Sequence, residues 1–213
     1  MRKRIIALGD SITVGTFTAP TDRSPDTVAH PNYIELTKDA LGYTELLNYA
    51  KNGISISPAS PTLPEHAMCR RIDLMEEGDL VIIAGGTNDY AASVPLGSAS
   101  DTEEHTFYGA LDVLYKKVSQ KYKNAKVFII TPLKRKVDGE NEKGHTLADY
   151  RKAIEEKAKE YSFPTIDGYL VPIDPKNEDG RRAHILDGLH PNEEGHRLYA
   201  ECVISKIREL ESR

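Results

Sequence analysis

Short apolar runs alternate with longer stretches of helical period along the chain. The runs at 4–8, 45–49, 79–84, 126–131 and 164–166 predict strands, and Leu80-Val81-Ile82-Ile83 is apolar at every position. A strand without an inside/outside alternation is buried on both faces, as in a parallel sheet sandwiched between helices. Amphipathic segments at 33–41, 65–75, 103–122, 146–161 and 192–211 supply those helices. The expected fold class is therefore α/β, a three-layer α/β/α sandwich. The Pro/Ser/Thr-rich pieces 16–31 and 55–64 are read as surface loops, because a strand or helix resumes soon after each.

With 213 residues, 39% hydrophobic and 29% charged, the chain suits one globular domain spanning 1–213. A net charge of −5 with dispersed basic residues argues against nucleic-acid partners. No run is long enough to span a bilayer, and the first apolar run is too short for a secretion signal. The expectation is a cytoplasmic protein with no membrane partner. Cys69 and Cys202 lie far apart without metal or redox spacing, and are expected to be isolated core thiols.

In an open parallel sheet, ligands bind beyond the carboxyl ends of the strands. The first strand ends in Gly9-Asp10-Ser11, the second in Asn52-Gly53, the third in Gly86-Thr87-Asn88-Asp89. Ser11, bracketed by Gly9 and Gly15, would be an ordinary turn residue if it stood alone. The spacing fails a P-loop, since no lysine follows Gly15, and the chain contains no G-x-S-x-G elbow. Near the carboxyl terminus, Asp187-Gly188-Leu189-His190 puts a carboxylate three residues before an imidazole. A serine hydroxyl needs such a base to take its proton, and the base needs a carboxylate to hold its tautomer. Asn88 and the Gly53 N–H are candidate donors to an oxyanion.

These four segments resemble, in order, the four sequence blocks of the SGNH (GDSL) hydrolases, with Ile12 standing where the motif has leucine. The second block is the least specific, because Gly53 is recognised mainly by position. The resemblance implies a five-stranded parallel sheet of flavodoxin-like order and a Ser11/His190/Asp187 triad. It also implies an oxyanion hole from the Ser11 and Gly53 N–H groups and the Asn88 amide, with no metal or organic cofactor. A serine esterase acting on a small-molecule ester follows. The polar loops 16–32, 90–102 and 133–145 favour a short acyl group on a polar or carbohydrate alcohol over a long-chain lipid, a lysophospholipase or thioesterase-like acyl hydrolase being the runner-up. A flavodoxin-like module for nucleotide or flavin is the reading from another class. Arg23, His30, Tyr90 and Arg135 are candidate substrate contacts, while Asp10 and Asp89 are expected to brace loop backbone. His184, His190 and His196 could suggest a metal site, but His196 falls inside the last expected helix six residues beyond His190, which points it to a different face.

Overall fold

The computed structural model describes residues 3–19 and 27–212. Five parallel strands form the main sheet: β1 (Arg4–Gly9), β4 (Glu45–Asn48), β5 (Leu80–Ala84), β6 (Lys126–Ile130) and β7 (Thr165–Ile166), in the spatial order β4-β1-β5-β6-β7. Counting only these strands, the order is 2-1-3-4-5, the flavodoxin-like arrangement. Two short strands, β2 (Thr16–Phe17) and β3 (Thr27–Val28), pair antiparallel beside it.

Alternate side chains of each central strand feed opposite layers. Ile6, Leu8, Val81, Ile83, Val127 and Ile129 pack with α3 (Met68–Arg71), α5 (Phe107–Lys121) and α6 (Leu147–Glu160). Ile5, Ala7, Leu80, Ile82, Phe128 and Ile130 pack with α2 (Tyr33–Ala40) and α8 (Glu193–Glu211). The fully apolar run seen in the sequence is thus shared between two cores. Among the described residues, no helix is long and apolar enough to cross a membrane.

Two expected helices differ from the structure. The segment 65–75 is a 3-10 turn (Pro64–His66), then α3, then a second 3-10 turn (Ile72–Leu74), because Ala67 is extended with ψ 141° and interrupts the ladder. The helix expected from 103 begins at Phe107, where Thr106 is the N-cap and accepts the Gly109 N–H. Gly109 fits there because a Cβ would lie 1.9 Å from the Glu103 carbonyl oxygen. Short helices follow strands in α1 (Ser11–Val14) and α4 (Thr87–Ala91), and α7 (Glu178–His184) precedes the final turn. Cys69 is buried, Cys202 is half-buried, and both are free thiols.

Candidate active site

Ser11 opens α1 directly after β1. Asp10 caps this single turn by accepting the Ile12 N–H at 3.0 Å, and Gly15 closes it in the left-handed region at φ 96°. Gly9 makes the tight entry possible, since a Cβ there would sit 2.1 Å from Thr13 Oγ1. The turn leaves the Ser11 N–H without a protein acceptor among the described residues. Its hydroxyl lies 2.9 Å from His190 Nε2. On the other side of the ring, Nδ1 is 2.7 Å from Asp187 Oδ2. The structure therefore brings together two groups separated by 179 positions.

Asp187 does two jobs with its two oxygens. Oδ2 faces the imidazole, while Oδ1 accepts the N–H groups of Leu189 and His190 at 2.8 Å each. Burial alone would raise the pKa of this carboxyl, but the hydrogen bonds from the His190 ring and these two amides outweigh it and draw it down to about 2. Asp187 is consequently an anion throughout the working range of an imidazole base. The side chains of His190 and Asp187 are 21% and 27% exposed, so the pair is open to an incoming ligand.

The wall opposite is built by α4. Asn88 Nδ2 donates to the Ile54 carbonyl at 2.8 Å, which uses one amide hydrogen and leaves the second free. Asp89, fully buried, accepts the N–H groups of Ile56 and Ser57 at 2.9 Å each. The two neighbouring side chains clasp the 54–57 loop, and through it Gly53, which sits at φ 76° with its N–H unpaired among the described residues. Asp10 and Asp89 thus brace backbone, as their positions suggested.

Burial pushes the Asp10 carboxyl up to about 6 and that of Asp89 up to about 7, against the pull of their backbone hydrogen bonds. A raised pKa means the folded state holds a proton that the unfolded chain has released, so stability falls as pH rises from about 4 towards 7. Asp89→Asn removes one of these titrations. Its melting temperature relative to the parent should become more favourable as pH rises across that range, and a difference that stays flat with pH would contradict the burial argument.

The remaining candidates separate. Arg135 sits on the loop after β6; its Nη1 donates to Thr87 O at 3.2 Å and Thr87 Oγ1 at 3.0 Å, next to Asn88. Burial lowers its pKa, with Tyr90, Asp10, Asp138 and Asp187 pulling the other way. Tyr90, expected at the cleft, is instead a core residue, 3% exposed, its hydroxyl donating to Gly139 O and its ring beneath the Arg135 guanidinium. An aromatic one helical step beyond Asp89 is turned inward by α4 to meet Tyr150 edge-on. His30 is exposed and pairs with Glu35 of α2, without a hydrogen bond to Ser11, Asp187 or His190. Arg23 lies outside the described residues. His196 is fully buried in the core, its ring stacked parallel to Tyr33, and burial draws it down to about 4.

Sequence reasoning missed Thr87, which receives Arg135, and Thr18, whose hydroxyl donates to Asp187 Oδ2 at 3.4 Å. No motif marks a loop threonine for such a role. Beneath the Ser11 turn the core is nearly closed: the cavity bounded by Asp10, Ile12, Ala84, Thr131, Leu133 and Tyr199 holds about 10 Å³, room for about one water. A larger groove, of about 540 Å³, lies at the amino ends of β6 and β7, lined by Tyr122, Lys126, Tyr161 and Phe163.

A search of curated proteins returns no match. Among solved structures, a Lactobacillus plantarum protein is 26% identical over 98% of this chain and 97% of its own, with a TM-score of 0.82. The aryl esterase of M. smegmatis shares the fold at 21% identity, over 98% of this chain and 99% of that one, with a TM-score of 0.71. The sequence model of the GDSL-like Lipase/Acylhydrolase family matches residues 7–198, a span that runs from the strand leading to Ser11 past His190. The chain belongs to the GDSL-like lipase/acylhydrolase family and is a serine ester hydrolase of that kind.

Proposed function

We propose that the protein hydrolyses short-chain carboxylic esters, acetyl esters foremost, of a polar or carbohydrate alcohol through an acyl-enzyme on Ser11. The observation that carries this reading is the continuous hydrogen-bond line Ser11 Oγ, His190 Nε2, His190 Nδ1, Asp187 Oδ2, at 2.9 and 2.7 Å. Ser11 Oγ attacks the ester carbonyl carbon as its proton passes to His190 Nε2, and the ionised Asp187 stabilises the imidazolium that forms. The carbonyl oxygen, now negative, receives the Ser11 N–H, the Gly53 N–H and the second Asn88 amide hydrogen. Each such donor is worth about 3 kcal/mol in the transition state. Collapse breaks the bond to the alkoxide, which leaves with the proton from His190. Water, deprotonated by the same ring, then attacks the acyl carbon and releases the acid.

The polar loops 90–102 and 133–145, short of large apolar side chains, support a short acyl group over a long chain. The loops around the site supply polar neighbours for the alcohol, among them Thr18, Arg135 and Lys136. A p-nitrophenyl ester series from acetate to palmitate, run beside fluorophosphonate labelling read by mass spectrometry, tests both halves. Acetate or butyrate should show the highest kcat/KM, with the adduct on Ser11. A maximum at palmitate would favour the lysophospholipase-like alternative, and an adduct elsewhere would remove Ser11 from the reaction.

A further inference from the structure

Among the half-buried arginines, Arg4 pairs with Glu45 and Arg151 with Asp167, whereas Arg71 and Arg135 have no carboxylate partner among the described residues, and Arg71 is taken up by the Tyr49 carbonyl and His66. Nη1 is spent on Thr87. Nε is buried without an acceptor, and Nη2 has no hydrogen-bond partner among the described residues. Nη2 is therefore the guanidinium nitrogen left to meet an incoming oxyanion, with Nε beside it unpaired but buried.

The group is also held in place. Its carbon lies 5.2 Å from the centre of the Tyr90 ring, on the ring face, and Tyr90 is anchored through Gly139 and through Asn141, which donates to its carbonyl. The next residue, Lys136, donates its N–H to Gly188 O at 2.8 Å, so the loop is tied to the turn that carries Asp187 and His190. Arg135 thus lies between the Asn88 wall and the histidine turn, flanked by Lys134 and Lys136 in a chain of net charge −5. A pre-positioned cation with an unpaired donor costs little further ordering on binding.

We propose that Arg135 recognises an anionic group, carboxylate or phosphate, carried by the ester substrate, so that the preferred substrates are anionic short-chain esters. This rests on the esterase reading above and adds to it the charge of the substrate. A guanidinium contact of this kind changes kcat/KM by about tenfold to a hundredfold.

The test compares ethyl acetate, O-acetylglycolate and the acetyl ester of glycerol phosphate on the parent, Arg135→Gln and Arg135→Lys. Comparing variants cancels the intrinsic reactivity of each ester. The preference for one anionic ester over ethyl acetate should fall at least tenfold in Arg135→Gln, through KM more than kcat, with Arg135→Lys between. Which ester shows the loss identifies carboxylate or phosphate as the group read. Should Arg135→Gln lose its fold, inhibition of ethyl acetate hydrolysis by free acetate and by inorganic phosphate, in the parent and Arg135→Lys, supplies the same comparison; the better anion should bind more weakly to Arg135→Lys. An equal fall on all three esters would make Arg135 a brace for Thr87 and overturn the proposal, as would no change. A parent that cleaves ethyl acetate without any Arg135-dependent preference overturns this inference alone. A parent that cleaves none of the esters and takes no fluorophosphonate on Ser11 overturns the esterase reading and this inference with it.

Discussion

Replacing Ser11 by alanine should lower kcat on p-nitrophenyl acetate by about ten-thousandfold or more, with KM and melting temperature close to the parent's. The size follows from the way nucleophile and base act as a unit: without the hydroxyl, His190 has no proton to take from an attacking group. What survives is the background supplied by the oxyanion donors and by binding. Stability should be nearly unaffected, because among the described residues the Ser11 hydroxyl bonds only to His190 and the turn is held by Asp10 and Gly15. Steady-state kinetics with a thermal melt on the same preparation reads both. Activity within tenfold of the parent, after exclusion of a contaminating esterase by active-site titration, would remove Ser11 from the mechanism.

Asp187→Asn should cost about ten-thousandfold in kcat as well, for a different reason. The carboxylate accepts from His190 Nδ1 with one oxygen and from two backbone N–H groups with the other. An asparagine satisfies the two amides with its carbonyl and then turns its NH2 towards Nδ1. That ring nitrogen must become the acceptor, so Nε2 carries the proton and cannot receive one from Ser11. The geometry survives while the tautomer is wrong. A kcat loss with an intact backbone at 187–190 in a crystal structure, and a melting temperature somewhat below the parent's at neutral pH, is the expected set of results. There is an acid-side consequence too. The Asp187 pKa is depressed to about 2, so its contribution to stability is present above the unfolded value and is lost as pH falls through that range. The asparagine variant should therefore lose less stability than the parent on acidification between about pH 4 and 2. An equal acid sensitivity in both proteins would contradict the depressed value.

The layers of the fold were legible because their cause is local. A run such as Leu80-Val81-Ile82-Ile83 has nowhere to go but a sheet covered on both sides, and β5 lies where the pattern predicts, central and flanked by two cores. The weaker elements were less so. Pattern at 65–75 reads as helix, yet an extended Ala67 divides it, and β7, at the sheet edge, keeps only two residues. The candidate nucleophile, base and carboxylate were also within reach of the sequence, since each sits at a strand end or in a three-residue spacing that chemistry makes recognisable. Their contact was not.

What the chain by itself determined is the alternation of buried strands with helices, the order of the four site segments, and the residue types they present. Tertiary structure alone decided which groups meet. It set Ser11 against His190 across 179 positions, spent one Asn88 hydrogen on Ile54, and turned Asp89 onto the 54–57 loop. It also sent Tyr90 into the core and left Arg135 Nε without an acceptor among the described residues. The physical reason is range. Hydrophobic period and turn chemistry act over a few residues and can be read along the chain, whereas hydrogen-bond partners depend on ångström distances between elements that only packing brings together.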